Sequence, residues 1–302
     1  MSVSQRVWNC ISRIPSKMDR TVKYVFVSGG QVIELSLIDK RDGKDIVCAP
    51  TQTSCRLGCR FCHLSGLDLP VKNLDAASLS ATVRHVVDAE GLLTRDKPNP
   101  VLLVSFMGCG EPLLNLDGTL AAASAMRAEY GRDYRTVRFA VASLIPKLSA
   151  MREFTDRVRS AGLAVKFHWS LHTPDDGLRR ELMPAARPIG PSLELVKRFV
   201  SLTGNAAEVH YALMMDVNDR DRDAEALIGL LAGTGISVKF LRYNEKEGAG
   251  LQQSSRVGHF RSALAGAGIE NEYYEPPGAD IGSSCGQFLL DYYERFAPPP
   301  GE

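Results

Sequence analysis

No apolar run in the 302 residues approaches the roughly 18 that a membrane span needs, and residues 1–20 lack the continuous hydrophobic segment of an export signal. A cytoplasmic protein without membrane contact is therefore expected. Net charge is nearly absent as well: 36 Lys and Arg stand against 35 Asp and Glu, leaving +1. A protein that grips nucleic acid through many phosphates carries a strong basic surplus. The balance argues against such a grip, although Arg56, Arg60, Lys72 and Arg84 leave room for a local basic face. Internal repeats are lacking, and low complexity is confined to residues 297–302. Cysteines number only seven, with three of them packed into residues 55–62. Without an export signal, that pattern argues against a disulfide framework and for a metal or redox site. What remains, 44% hydrophobic and 24% charged, is the composition of a globular protein with enough chain for one large domain or two small ones.

Residues 1–20 are polar and mixed and read as a short helical or irregular lead-in, in which Cys10 has no partner at a useful spacing. Two β-branched stretches, 22–27 and 32–37, flank Ser28-Gly29-Gly30-Gln31 and predict a hairpin. A third strand at 45–48 delivers the chain to the clustered cysteines. From residue 73 the apolar spacing alternates between periods of 3.6 and 2. It predicts helices at 74–90, 117–129, 146–161, 191–202, 221–233 and 255–266, with strands at 100–107, 136–142, 164–171, 207–214, 237–242 and 269–274. Repeated βα units imply a parallel sheet with right-handed crossovers. About six units are too few for a closed eight-stranded barrel. The expected fold class is α/β, a partial (βα)6 barrel with a small N-terminal β extension. Its expected parts are a lead-in and hairpin over 1–50, the barrel over 51–275 and a C-terminal segment carrying Cys285 over 276–302.

The chemistry centres on Cys55-Arg-Leu-Gly-Cys59-Arg-Phe-Cys62. Three thiolates at C-x3-C-x2-C spacing, on a loop eased by Gly58, can hold three irons of a 4Fe-4S cluster and leave the fourth open. With Phe61 before the last cysteine, the stretch resembles the radical S-adenosylmethionine (SAM) signature, in which the open iron chelates SAM. Structural zinc is the alternative, for which His63 lies too close to Cys62 to complete a tetrahedron easily. Strand 100–107 runs into Gly108-Cys109-Gly110-Glu111-Pro112, where glycines allow close backbone approach and the carboxylate can hold an ammonium. This resembles the Gly-Glu motif that binds the SAM amino group; a plain βα turn is the other reading. Ser170 and His172 alternate at the end of strand 164–171 and are expected to point to one side, toward SAM or substrate. His168 shares that side without a role, and a buried histidine satisfied by a carbonyl is the alternative for His172. Cys48 and Cys285 are isolated, and by spacing alone they are small buried hydrophobes.

From about residue 20 to 296 the chain resembles the class A radical SAM methylases of the RlmN/Cfr type, which methylate C2 or C8 of adenine in ribosomal RNA. The motifs come in order: Cys48, the three-cysteine loop, Phe106-Met107-Gly-Cys-Gly-Glu-Pro-Leu-Leu-Asn, Ser-Leu-His, Glu-Leu-Met-Pro, Asp216-Val-Asn-Asp and Cys285-Gly-Gln. The resemblance implies that Cys55, Cys59 and Cys62 ligate the cluster and that Gly108, Gly110, Glu111, Ser170, His172 and Asn244 form the SAM site. It implies that Cys285 takes a methyl group from one SAM. A second SAM yields a 5'-deoxyadenosyl radical that activates this methyl for addition to an sp2 carbon. Cys48 then resolves the adduct through a disulfide with Cys285, and Glu34 contacts the target base. A monomer that takes electrons from a flavodoxin or ferredoxin is expected.

Several residues depart from the family pattern. Ala140-Val141-Ala142-Ser143 stands where a Ser-Thr-Ser-Gly stretch is usual, Cys109 replaces a methionine, and Arg242-Tyr243-Asn244-Glu245 replaces a Trp-Asn-Pro setting. The family's N-terminal RNA-holding domain is not expected in this chain. With the neutral charge, this leaves the substrate open between adenine in RNA and a nucleotide or small heteroaromatic molecule. Two other readings stay open: a radical SAM reaction without methyl transfer, with Cys285 as hydrogen donor, and a metal-stabilised RNA-binding protein without turnover.

Overall fold

Among the described residues, ten strands lie side by side in the order in which they occur along the chain. The structure, a computed structural model, describes residues 7–40, 43–97 and 99–287. The first residues of the lead-in and the Pro-rich 297–302 stretch lie outside that range. Instead of a helical or irregular lead-in, Asn9–Pro15 forms strand β1, antiparallel to β2 (Thr21–Ser28). Its exposure alternates residue by residue, as it does for an edge strand with one face on the protein. β2 and β3 (Gln31–Lys40) are joined through Gly29 and Gly30, both at positive φ, which a two-residue hairpin turn requires.

β4 (Lys44–Cys48) is antiparallel to β3 and parallel to β5 (Val101–Phe106), so it joins the extension to the barrel. All later pairings are parallel, through β6 (Thr136–Ser143), β7 (Val165–Ser170), β8 (Ala207–Ala212), β9 (Ser237–Leu241) and β10 (Asn271–Tyr274). The six predicted barrel strands are thus present, and β4 runs with them. The major helices are α1 (Ala76–Ala89), α2 (Leu116–Tyr130), α3 (Leu148–Ala161), α4 (Asp176–Leu182), α5 (Ile189–Thr203), α6 (Asp221–Leu231) and α7 (Val257–Gly266). α4 is short and was not expected. It starts because Asp175 caps it, accepting from the Leu178 amide at 2.8 Å.

Alternation on the parallel strands separates two environments. On one face of β7, Val165, Phe167 and Trp169 meet the helices, and the Phe167 ring lies 5.7 Å from Phe154 of α3 and 5.6 Å from Phe199 of α5. The opposite face carries Lys166, His168 and Ser170, continued on β8 by Glu208, His210 and Ala212 and on β9 by Lys239 and Leu241.

Candidate active site

Above the carboxyl ends of these strands lies a cleft with a cavity volume of about 210 Å³, open to solvent on one side. Its wall includes Cys55, Cys59, Cys62, Gly108, Gly110, Glu111, Ser170, His172, Asn244 and Cys285, framed by apolar groups such as Phe61, Leu144, Met183 and Leu241. Residues more than 200 positions apart in the chain therefore meet, as strand-end loops of such sheets permit. Two predicted residues stand outside the wall. Cys48, at the end of β4, is buried in an apolar group with Val25, Val32, Leu64 and Cys109 that adjoins Cys55 and Cys62. Glu34, on β3, is buried with the Lys23 ammonium 3.7 Å away.

The cysteine loop turns at Gly58, whose φ is +71°. It is pinned by the Arg60 amide, which donates to the Leu182 carbonyl at 2.8 Å, and by the Cys62 amide, which donates to Cys59 at 3.0 Å. Burial, and the neighbouring thiols for Cys55 and Cys59, push these thiols upward, Cys55 to about 11. They become thiolates when a cationic centre arrives. Spacing separates the metal alternatives. Four thiolates on one zinc lie about 3.8 Å apart, from bonds of about 2.3 Å. The three thiol sulfurs are not mutually within 4.8 Å; among the described residues only His168, Glu208 and His210 form such a trio. A four-iron cluster grips each cysteine through a different iron, so the wider spread fits it.

Glu111 sits deep in the cleft at the start of a 3-10 turn, accepting from the Leu113 amide at 2.9 Å with one oxygen and from the Leu144 amide at 3.3 Å with the other. Burial pushes its carboxyl up to about 7, against the pull of these amides and of the Ser143 hydroxyl. An ammonium ligand would restore its charge. The glycines before it serve packing: a Cβ on Gly108 would come within 2.8 Å of the Pro50 nitrogen, and one on Gly110, at φ +102°, within 2.7 Å of Gln52. Both glycines also line the cleft, where the close approach of a ligand expected from the sequence would occur.

His172 does not continue β7. The strand ends at Ser170, and His172 takes a left-handed φ of +57°. Asn218 holds this conformation, donating to the His172 carbonyl at 2.6 Å and to the Ala212 carbonyl at 2.8 Å. The Ala212 amide donates to His172 Nδ1 at 3.0 Å, which leaves the ring proton on Nε2. Burial pulls the imidazole down to about 3, so it is a neutral donor. The Phe61 ring packs 4.8 Å from it.

Three contributors were not singled out in the sequence. Arg179, 1% exposed, donates to the carbonyls of Ser170 (2.8 Å), Leu171 (2.5 Å) and Leu144 (3.0 Å), tying the ends of β6 and β7 together. Asn218 lies within the Asp216-Val-Asn-Asp motif, which offered a signal without a role. Ser143 supplies a hydroxyl on the wall where the altered 140–143 stretch suggested loss, and its oxygen accepts from the Ile145 amide at 2.8 Å.

Cys285 opens into the cleft, and its thiol is nevertheless crowded by protein on the remaining sides; this desolvation raises it to about 11 while the Lys239 ammonium pulls it down. Its loop is fastened from several directions. Asn244 Nδ2 donates to the Cys285 carbonyl at 2.9 Å, and the His63 amide donates to the Gly286 carbonyl at 3.0 Å. Asp280 accepts from the Ser16 hydroxyl at 2.7 Å and the Lys17 amide at 2.8 Å, while Asp19 accepts from the Gly278 amide at 2.8 Å.

No protein-family model matches the chain. It is 33% identical over 284 residues to a probable dual-specificity RNA methyltransferase RlmN of Clostridium botulinum (strain Eklund 17B / Type B), covering 92% of this chain and 77% of that protein. It is 32% identical over 276 residues to the dual-specificity RNA methyltransferase RlmN of Syntrophotalea carbinolica, covering 89% and 70%. The crystal structure of a radical SAM methyltransferase from Sphaerobacter thermophilus superposes with a TM-score of 0.82 at 30% identity, over 93% of this chain and 80% of that one. Agreement of sequence and fold across nearly the whole length settles the assignment: the chain belongs to the RlmN family of radical SAM methyltransferases.

Proposed function

We propose that this enzyme methylates an sp2 carbon, with Cys285 as methyl carrier and Cys48 as the residue that releases product. The observation that carries this reading is one shared cleft: Cys285 lines it together with Cys55, Cys59, Cys62 and Glu111. Cys48 lies near enough to Cys285 for a charge there to push its own thiol further up, burial having already raised it, to about 12 in all. In this reading Cys55, Cys59 and Cys62 would hold a 4Fe-4S cluster, and Glu111 would take the ammonium of SAM, with Ser170 and His172 as further polar contacts. When bound, these groups supply an electrophilic methyl and, with an electron from a donor such as flavodoxin or ferredoxin, a carbon-centred radical.

The chain's own task is to manage sulfur. Cys285 must shed its proton before it can be methylated, and the nearby Lys239 ammonium favours that ionisation. At the end of the cycle the Cys48 sulfur bonds to the Cys285 sulfur as the bond from Cys285 to carbon breaks. That carbon keeps the bonding electrons and takes up a proton, becoming a methyl group on the acceptor. The hydrogen that the acceptor carbon carried has by then left as a proton to Cys48, and the unpaired electron left by the radical addition would return to the cluster that Cys55, Cys59 and Cys62 would hold. Covalent catalysis thus divides a substitution that a purine carbon, being no nucleophile, would not undergo directly.

For the acceptor, the relatives' names point to RNA, and adenine in RNA is the first reading. The net charge of +1 favours a second, a nucleotide or small heteroaromatic molecule. Mass spectrometry of the tryptic peptide 262–295, after anaerobic cluster reconstitution and incubation with SAM alone, tests the carrier. One added methyl on its single cysteine is expected. An unmodified peptide in protein with an intact cluster would instead support a radical reaction without the methyl shuttle.

A further inference from the structure

The charges inside the sheet are held against one another. Glu208 of β8 has Lys166 Nζ 2.6 Å from one oxygen, and Lys239 Nζ and His168 Nδ1 3.0 and 3.1 Å from the other; Lys239 also reaches Glu272 at 2.8 Å. In the N-terminal extension, Lys23 and Glu34 lie 3.7 Å apart. Cys48 is set differently. Its thiol hydrogen-bonds with the Ser105 hydroxyl and the Met107 backbone, two uncharged groups.

The register of the sheet explains these neighbours. Cys48 pairs with Ser36 across β3 and β4 and with Ser105 across β4 and β5. Partners in register point to the same side, and the alternate residues Leu35, Leu37, Val47 and Val104 face the main core on the other. One row therefore runs Ser36, Cys48, Ser105, with a hydroxyl on either side of the thiol, each about 4.8 Å away along the row. Both serines are buried, and their situations differ. Ser105 already bonds to the thiol, whereas Ser36 Oγ is buried with no hydrogen-bond partner among the described residues. A buried hydroxyl without a partner is destabilising, and this one stands beside a thiol whose reaction gives it negative charge. Side chains directly opposite on paired strands have Cβ atoms about 4.5–5.5 Å apart, and a serine hydroxyl can turn. Ser36 can therefore reach the Cys48 sulfur once that sulfur becomes a stronger acceptor, as a thiolate is.

We propose that Ser36 and Ser105 clamp the Cys48 sulfur from both sides and hold it as a thiolate while it bonds to Cys285. In that step the sulfur-sulfur bond forms and the bond from Cys285 to carbon breaks; Cys48 gives up one proton and the released carbon takes up one, so protons balance. The proposal rests on the reading of Cys48 as the residue that releases product, and deepens it by assigning the groups that make this sulfur reactive. Both serines touch the reacting atom and are catalytic residues.

The test uses a sulfur exchange that needs no acceptor. Anaerobically reconstituted enzyme is treated with methyl methanethiosulfonate, which places a methylthio group on the exposed Cys285 and releases methanesulfinate. Attack by Cys48 then closes the Cys48–Cys285 disulfide and expels methanethiol, which carries away the proton of the thiol. Mass spectrometry of the tryptic peptides 45–56 and 262–295 after acid quenching follows both steps. Ser36→Val is expected to slow the closing step about tenfold, the loss of one charge-assisted hydrogen bond, and Ser105→Ala should slow it at least as much. Ser36→Thr, which has the shape of Val and keeps the hydroxyl, should close at the wild-type rate. Uptake of the methylthio group by Cys285 should be unchanged in all three, a split that a merely structural role for the serines would not produce. A Ser36→Val enzyme that closes the disulfide as fast as the wild type overturns the clamp. A wild-type enzyme with an intact cluster in which Cys285 takes up the group and Cys48 never closes on it overturns the reading of Cys48 instead, and one in which Cys285 takes up nothing overturns the carrier, so the failures are distinguishable.

Discussion

The two faces of the barrel sheet obey different physics. Toward the helices, Val165, Phe167, Trp169, Val209, Tyr211 and Phe240 are buried apolar or aromatic groups, stabilised by area removed from water. Toward the barrel interior, the same strands carry Lys166, His168, Ser170, Glu208, His210 and Lys239. Burying that second set carries a desolvation cost, which pairing among its members offsets. One residue step along a strand thus separates a side chain that holds the protein together from one that can serve its chemistry. Substitutions on the inner face and rim should change reaction or binding, with melting altered only where a buried carboxyl titrates, and substitutions on the outer face should change melting with little effect on binding.

The largest effects are expected at the rim. Cys59→Ala should abolish both the brown cluster chromophore and methylated product while leaving the far-ultraviolet circular dichroism unchanged. A variant that still binds four irons per chain would remove Cys59 from the ligand set. Cys285→Ala should keep the chromophore and the capacity to cleave SAM yet form no methylated product; full methylation by this variant would sink the carrier role. Cys48→Ala should accumulate a covalent protein-substrate adduct visible by mass spectrometry, and normal turnover without that species would rule out Cys48 as the resolving residue.

On the outer face, Phe167→Ala should destabilise the protein by about 3–5 kcal/mol, because it removes a fully buried ring between two others and leaves a cavity. Denaturant unfolding measures it. A loss below about 1 kcal/mol, or lost SAM binding under strongly native conditions, would blur the division between the faces.

That division was largely readable from the chain, since strand and helix periods are local and the three-cysteine spacing is compact. What escaped is instructive. β1 was missed because Asn9–Pro15 is a polar edge strand whose alternation is weak in hydrophobicity and becomes clear only in burial. Ser170 and His172 were placed on one strand, whereas a left-handed turn at His172, held by Asn218, brings its ring to the wall by another route. Arg179 and Asn218 escaped because they act through backbone carbonyls of residues distant in the chain, and no side-chain pattern announces such partners. The inner basic cluster around Glu208 was equally hidden, since His168, Glu208 and Lys239 come from three different strands.

The smallest predicted effect concerns Glu111, an inner carboxyl beside which no ammonium lies among the described residues. Burial raises Glu111 to about 7 from an ordinary 4.5. In the ligand-free protein, the folded state therefore holds a proton that the unfolded chain has already released between these two values. Where the folded state binds more protons, stability falls as pH rises. The contribution is fully present below about 4.5 and is lost as pH rises through 7, on the order of 3 kcal/mol in total. Glu111→Gln has no such proton to lose. Measured in cluster-free protein by thermal melting, its stability relative to wild type should rise between pH 5 and pH 8 and then level off. A difference independent of pH would mean that Glu111 is already ionised when the cleft is empty. SAM should shift the balance, because its ammonium favours the carboxylate: binding near pH 6 should release a proton from wild type but not from Glu111→Gln. Calorimetry in buffers of different ionisation enthalpy resolves this release, and its absence from wild type would place the ligand's amino group elsewhere on the wall.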